Sequence, residues 1–366
     1  MDRTTLRDRL LFCAHRAAAR LGSEQREDGS YGPGHQGLAS YYRSASLFLA
    51  AGRWDLADRV VALVAERFMQ EGGSFSAAGE GEAPDPVLSA YPAYPNGWVA
   101  MAAQRLGRFE VSEPAWGHFR SYFHPELGGC CAEGPYDAGA PRHVDMLMTA
   151  HLGMCALFFG DGEVAQRAEQ MLVRFLDQQP EPAARLLLRM DGRGELVREG
   201  APLATQVDAA AAGQAWFAVG YPVGFLGLLH RVTTSGEALR AARGYLDFAL
   251  ACPALPGEQS AHVVAWAAGI LGAITQSAPY FDLSVAISRN LMAGQRASGL
   301  WREVEDQPPT CFDQSAETAL WLLEIARVAA IAGRPERSRA EVTSTTWRRG
   351  VGAYSLRGRT SGAGGI

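Results

Sequence analysis

Apolar residues recur every three or four positions along most of the chain, and the alternation typical of strands is nearly absent. This spacing predicts an all-α protein in which twelve helices follow one another. The predicted helices cover residues 3–21, 37–51, 54–70, 87–106, 113–123, 143–159, 162–178, 208–232, 235–251, 259–276, 279–295 and 313–332.

The predicted helices are of two kinds that alternate. One kind is amphipathic and rich in Arg and Glu, as in WDLADRVVALVAERFMQ from Trp54, which indicates one solvated face. The other kind is apolar on nearly all sides, as in SAHVVAWAAGILGAITQ from Ser260, which indicates a buried helix. The turns from a buried helix to the next amphipathic helix are short, whereas the turns in the other direction are long and carry Gly, Pro, aromatic and acidic residues.

This alternation repeats about every fifty residues, which is typical of helical repeat architectures. Six apolar helices enclosed by six amphipathic ones favour a closed (α/α)6 toroid of six helical hairpins over an open solenoid. We expect residues 1–333 to form one toroid domain. Residues 334–366 form an Arg/Gly/Ser-rich segment with few apolar residues, for which we expect a flexible tail.

A closed ring would gather all the long loops and the N-termini of the inner helices at one end. Those helix ends carry free backbone N–H groups and a partial positive charge. The mouth at that end is therefore the expected site for a small-molecule substrate.

Composition excludes several classes of function. The chain of 366 residues has a formal net charge of −5 and no lysine, so a nucleic-acid partner, Schiff-base chemistry and a Walker-type phosphate site are not expected. No apolar run is long enough to predict a membrane span. The six cysteines contain no CxxC pair, and with no apparent secretory signal they predict a cytoplasmic protein. The oligomeric state is left open, a homo-oligomer included.

Two segments carry a resemblance to a known superfamily. QREDGSYG from Gln25 and QRASGLW from Gln295 resemble the repeats of squalene cyclases and protein prenyltransferases, and PELGGCCAEG from Pro125 is a weaker copy. In that superfamily such a segment precedes a helix similar to TALWLLEIA from Thr318. The resemblance implies the toroid fold and suggests a lipophilic, terpenoid- or polyketide-like substrate.

The catalytic signatures of that superfamily, DxDD and DDxxD, are absent from the sequence. DQSAETALWLLEIA from Asp313 is also similar to the last inner helix of unsaturated uronyl hydrolases, and sugar epimerases are similar toroids. The sequence therefore leaves open an acid/base cyclase, isomerase or lyase, a carbohydrate-active toroid, and a non-catalytic helical scaffold.

Asp313 and Glu317 are the leading catalytic candidates. They are four residues apart on the last predicted inner helix and therefore share one face. If that face looks into the ring, burial and mutual repulsion would raise one pKa and leave one acid and one base near neutral pH. The alternative is an ordinary acidic first turn of a helix.

The loop before the third inner helix is the densest cluster of reactive side chains. In it, His143 is a candidate acid or base, Asp145 its orienting carboxylate, and Cys131 a candidate acid or thiolate nucleophile. Glu133 lies in the same loop. The alternative is that Asp145 only caps the helix and that the thiol only packs.

Further residues at the predicted mouth are candidates for binding the substrate. They are His35, Tyr91, Tyr94, Trp98, Asp208, Tyr221, His262, Trp266, Trp301 and Cys311. Asp208 is expected to begin the fourth inner helix, and His262 lies one turn before Trp266 on the fifth. No ligand spacing requires a metal, and no motif indicates a cofactor.

Overall fold

The computed structural model describes residues 3–32, 37–76, 85–140, 142–198, 205–302 and 308–332. His35 and the segment 334–366 lie outside these residues. The described residues fold into two concentric rings of helices, so the predicted all-α toroid is confirmed. The outer helices are α1 (Arg3–Glu24), α3 (Trp54–Arg67), α6 (Phe109–Arg120), α8 (Gly162–Asp177), α10 (Gly236–Leu250) and α12 (Ala278–Ala293).

The inner helices are α2 (Ser44–Ala50), α5 (Tyr94–Leu106), α7 (Met146–Phe159), α9 (Phe217–Thr233), α11 (His262–Thr275) and α13 (Pro308–Ala332), and a short α4 (Pro86–Ala90) precedes α5. Each inner helix packs against the next, and α13 contacts both α2 and α1, which closes the ring. The buried side chains form one continuous core between and within the two rings.

Two small antiparallel sheets, which the sequence did not predict, lie in the long loops. Their strands are β1 (Cys130–Cys131), β2 (Val144–Asp145), β3 (Arg185–Leu187), β4 (Arg189–Met190) and β5 (Gln206–Asp208). One sheet has the order β1-β2-β4, and the other pairs β3 with β5.

The prediction that Asp208 begins an inner helix is wrong. Asp208 ends β5, and α9 begins nine residues later at Phe217. The Gln214 side chain accepts a hydrogen bond from Asp208 N (2.7 Å) and donates to the carbonyls of Asp208 (2.7 Å) and Ala211 (2.9 Å). These bonds hold the alanine-rich segment in a turn, which overrides its helix propensity.

The two sequence repeats form the same turn. Arg26 N donates to Ser30 O (2.8 Å), and Arg296 N donates to Leu300 O (2.8 Å). The glycine that completes each turn, Gly29 or Gly299, has a φ of +86° or +90°, which L side chains rarely adopt.

The same turn also occurs in two segments that the sequence analysis did not identify. Gln70 N donates to Ser74 O (2.8 Å), and Asp191 N donates to Glu195 O (2.9 Å). A Cβ on Gly73, the glycine of the first of these turns, would lie 2.1 Å from the carbonyl oxygen of Pro114 in the next outer helix. The glycine therefore lets a turn touch the neighbouring hairpin.

The ring closes through such a turn as well. Gln295 Nε2 donates to the carbonyl of Cys13 in α1 (2.7 Å), and Arg16 Nη2 donates to the carbonyl of Ala297 (2.8 Å). A Cβ on Gly299 would lie 3.4 Å from Arg16 O, so this turn also packs on an outer helix.

Candidate functional site

A buried arginine joins the two leading candidates at the mouth of the ring. Arg43 lies directly before α2, and its Nη1 donates to both carboxylate oxygens of Asp313, at 2.6 and 2.7 Å. Its Nη2 lies 3.2 Å from Glu317 Oε1 and donates to Tyr94 Oη at 3.3 Å. The Arg43 side chain is 7% exposed, and those of Asp313 and Glu317 are 16% and 12% exposed.

The two carboxyl groups lie on one face of α13, as their spacing predicts, but Arg43 bridges them. Burial raises the pKa of Asp313 to about 6, helped by the charge of Glu317 and opposed by Arg43. Burial also acts to raise the pKa of Glu317, but the charges of Arg43 and His262 outweigh it and bring this pKa to about 2. Asp313 is therefore the carboxyl group that can exchange a proton near neutral pH.

His262, the first residue of α11, completes this cluster. Its Nδ1 lies 2.9 Å from the carbonyl of Gln259, which can only accept, so Nδ1 carries a hydrogen. Its Nε2 lies 3.2 Å from Glu317 Oε1. A proton on Nε2 would face this carboxylate, so the two side chains together can hold a proton at the mouth of the ring.

Two tyrosines lie next to Arg43. The hydroxyl groups of Tyr94 in α5 and Tyr221 in α9 are 2.6 Å apart. Both rings are buried, and burial raises the pKa of each phenol, so both keep their protons. We refer to Arg43, Tyr94, Tyr221, His262, Asp313 and Glu317 together as the mouth cluster.

Aromatic side chains fill the centre of the ring below the mouth cluster. Trp321 in α13 contacts Trp266 (ring centroids 4.8 Å apart), Trp98 (6.0 Å) and Tyr221 (6.0 Å). The imidazole of His151 packs on Trp98 at 5.6 Å. Each of these side chains is at least nine-tenths buried, so the described inner helices leave a closed aromatic floor.

A second polar group lies at the N-terminus of α7. Asp145 Oδ2 accepts from Arg189 Nε (3.1 Å) and Tyr91 Oη (3.2 Å), and Asp145 Oδ1 caps α7 by accepting from Met148 N (3.0 Å). The prediction that Asp145 orients His143 is therefore wrong. The partner of His143 is Glu133, whose Oε1 lies 2.9 Å from Nδ1.

The remaining candidates mainly pack or support the loops. Cys131 is buried, and burial raises the pKa of its thiol to about 11, which disfavours the expected thiolate. The indole N–H of Trp301 donates to the carbonyl of Leu291 (2.7 Å), and Cys311 Sγ lies 3.1 Å from the carbonyl of Arg302. Asp208 accepts from Gln206 Nε2 (3.1 Å).

Arg43 joins the carboxylates of the mouth cluster and Arg189 holds Asp145, yet no sequence pattern points to either arginine. Arg43 could have been noticed as a charged residue between Tyr42 and an apolar helix, but nothing in the sequence relates it to Asp313, 270 positions away.

Among the described residues, no three His, Cys, Asp or Glu side chains form a group that could hold a metal. Every helix in the described ranges is too short or too polar to cross a lipid bilayer.

No protein-family model matches the sequence, and no curated protein matches it. Solved structures with the same fold include a D-mannose isomerase, with a TM-score of 0.63 and 12% identity over 88% of this chain and 97% of that one. An unsaturated glucuronyl hydrolase specific for heparin gives 0.58 and 11% over 92% and 98%. A type II terpene cyclase from Scytonema gives 0.57 and 12% over 89% and 99%. The chain therefore has the (α/α)6 toroid fold that these proteins share, as its repeats predicted.

Proposed function

We propose that this protein is an enzyme that transfers protons on a small, neutral, oxygen-rich substrate such as a sugar, at the mouth of the toroid. The observation that carries the proposal is the mouth cluster, in which His262 Nε2 lies 3.2 Å from Glu317 Oε1 and burial raises the pKa of Asp313 to about 6. Solved toroids of three different activities support an enzyme, since each has this fold.

The roles of the residues follow from their partners. Asp313 takes a proton from the carbon next to a substrate carbonyl, while His262 gives its Nε2 proton to the carbonyl oxygen. The resulting enediol returns to a carbonyl compound when Asp313 protonates the neighbouring carbon and His262 recovers a hydroxyl proton. Glu317 holds His262, and Arg43 fixes the positions of both carboxylates. Proton transfers of this kind contribute roughly 10²- to 10⁴-fold to a rate.

The charge of the mouth cluster favours a neutral substrate. Arg43 pairs with Asp313 and Glu317, and His262 pairs with Glu317. With both carboxylates ionised, their two negative charges outnumber the single positive charge of Arg43, so Arg43 has no free charge for a uronate or a diphosphate. The aromatic floor also favours a short molecule, because Trp98, Trp266 and Trp321 fill the space that a long chain would need.

A lipophilic substrate, the first expectation from the sequence, is a second candidate. The observation in its favour is that Asp313, when protonated, is an acid above aromatic faces, and such faces stabilise cations. A non-catalytic scaffold is less well supported, since it predicts a solvated Asp313–Glu317 pair and both carboxylates are largely buried.

The test is proton exchange in D2O. The protein would be incubated separately with D-mannose, D-glucose, D-fructose, D-glucuronate, farnesol and geranylgeraniol, and the products analysed by NMR and mass spectrometry. We expect deuterium on a carbon next to the carbonyl of a neutral sugar, at a rate that Asp313→Asn lowers about 100-fold or more.

Asp282→Asn is the matched control, since Asp282 is exposed on α12. Circular dichroism would verify that both variants fold. Reaction of an isoprenoid alcohol alone would favour the second candidate. Reaction of the uronate alone would contradict the charge argument, and equal rates in Asp313→Asn and the unmutated protein would refute the role of Asp313.

A further inference from the structure

The small sheet directly before α7 places Asp145 and Arg189 opposite each other on neighbouring strands. β2 pairs with β1 on one side and with β4 on the other, so that Asp145 is opposite both Cys130 and Arg189. The ladder continues one residue further, because Ala132 N donates to the carbonyl of His143 (2.9 Å). Glu133, two residues after the end of β1, and His143, directly before the start of β2, therefore lie close together.

Arg189 connects the buried and exposed parts of this arrangement. Its side chain is 3% exposed and packs against the ring of Tyr91, with the guanidinium carbon 5.5 Å from the ring centroid. Nε is fixed by buried Asp145, and Nη1 donates to Glu133 Oε1 at 3.2 Å. A guanidinium held in this way is a rigid anchor for the Glu133 carboxylate.

Glu133 in turn holds the imidazole of His143. Its carboxylate accepts from the backbone N–H of His143 (3.3 Å) and lies 2.9 Å from Nδ1. Because an ionised carboxylate only accepts, Nδ1 must carry a hydrogen, and in the neutral ring Nε2 is then the basic atom. The side chains of His143 and Glu133 are 46% and 39% exposed, so a ligand can reach them.

We propose that His143 is a second proton-transfer group at the mouth, with Glu133 as its positioning residue and Arg189 as the anchor of Glu133. His143 Nε2 accepts a proton from a substrate hydroxyl group and returns it, while Nδ1 keeps its hydrogen and donates it to Glu133 throughout. This chain of contacts ends at Tyr91, three residues before Tyr94 of the mouth cluster, and so links His143 to the entrance of α5 through Glu133, Arg189 and Asp145. The proposal rests on the proposed function for its substrate, but its geometry is independent of it.

The geometry can be tested without a substrate. NMR of protein labelled with ¹⁵N-histidine reports which nitrogen of each ring carries the hydrogen, and His143→Asn identifies the signals of His143. We expect the neutral ring to be almost entirely the Nδ1–H form in the unmutated protein and a mixture of both forms in Glu133→Ala. Glu66→Ala, which changes an exposed glutamate on α3, should leave the ring unchanged.

The proton-transfer role is tested with the sugar that the D2O experiment identifies. We expect His143→Asn to lower kcat at least tenfold and to change KM less than twofold, and Glu133→Ala to lower kcat by a smaller factor. Near-normal turnover in His143→Asn would overturn the role of His143. If the unmutated protein converts no compound, the proposed function fails. In that case the pairing of His143 with Glu133 would still be supported if the fraction of the Nδ1–H form of His143 differs between the unmutated protein and Glu133→Ala. The same fraction in both proteins would overturn the pairing.

Discussion

His151 should make the folded protein sensitive to acid. Its ring is completely buried below the mouth cluster, and its Nε2 donates to the carbonyl of Tyr94 (3.2 Å). Burial lowers the pKa of His151 to about 3, and the charge of Arg43 acts in the same direction. The imidazole is therefore neutral in the folded state at a pH where it is protonated in the unfolded chain.

The sign and size of the effect follow from this difference. Between the unfolded pKa of about 6.5 and the folded value, the unfolded state binds more protons, so stability falls as the pH falls. Each pH unit contributes about 1.4 kcal/mol, which makes the loss at pH 4.5 about 3 kcal/mol. That is a large part of the 5–15 kcal/mol by which typical domains are stable.

The perturbation is His151→Gln, which removes the titrating group but keeps an N–H that can reach the Tyr94 carbonyl. Urea unfolding at pH 7.5 and 4.5 would give the change in the free energy of unfolding for each protein. We expect this change to be about 3 kcal/mol smaller in His151→Gln than in the unmutated protein. Comparing the two proteins cancels the opposite contribution of Asp313, whose raised pKa adds stability as the pH falls from about 6.

His15→Gln is the control, because His15 is exposed on α1. It should leave the pH dependence unchanged. The same loss of stability in His151→Gln as in the unmutated protein would show that another group, and not His151, causes the sensitivity to acid.

Two more expectations follow from buried charge and close packing. Arg43→Met leaves Asp313 and Glu317 without their shared cation, so urea unfolding at pH 8 should show a loss of about 3–5 kcal/mol in the free energy of unfolding. This loss should be smaller at pH 5.5 and smaller in the double variant Arg43→Met/Asp313→Asn. Equal losses under all three conditions would contradict the destabilising effect of two buried carboxylates without a cation. Gly73→Ala should lower the free energy of unfolding clearly more than Gly52→Ala in the same assay, because both glycines have positive φ but only Gly73 lies against a carbonyl, that of Pro114. Similar losses in the two variants would show that the positive φ, and not the contact with Pro114, sets the cost of the substitution.

Periodicity could predict the rings because each helix carries its own burial pattern. The apolar sequence of α11 and the Arg/Glu-rich sequence of α8 distinguish inner from outer helices without knowledge of their neighbours. The i, i+4 spacing likewise placed Asp313 and Glu317 on one face of α13. These inferences concern residues that are close in sequence.

Contacts between distant segments could not be read in this way. Arg43 reaches Asp313 across almost the whole chain, and Arg189 meets Glu133 only because short strands pair in one register. The start of α9 was misplaced for a related reason, since the hydrogen bonds of one glutamine, Gln214, outweigh the helix propensity of four alanines. Side-chain hydrogen bonds to the backbone compete with helix formation in this way, and residue type alone does not reveal them.

The glycine turns also bear on how such a ring can be assembled. The joint between the last and first hairpins uses the same turn as the joints at Gly29 and Gly73, and Gly299 packs on α1 as those glycines pack on α3 and α6. The contact between α13 and α1 is therefore built like the contacts between consecutive repeats, although these two helices lie at opposite ends of the described chain. We call this contact the seam of the ring. A circularly permuted chain, joined across this seam and opened instead at the short turn around Gly160, would keep these glycine turns intact and bring Arg43 and Asp313, now 270 positions apart, much closer together in sequence.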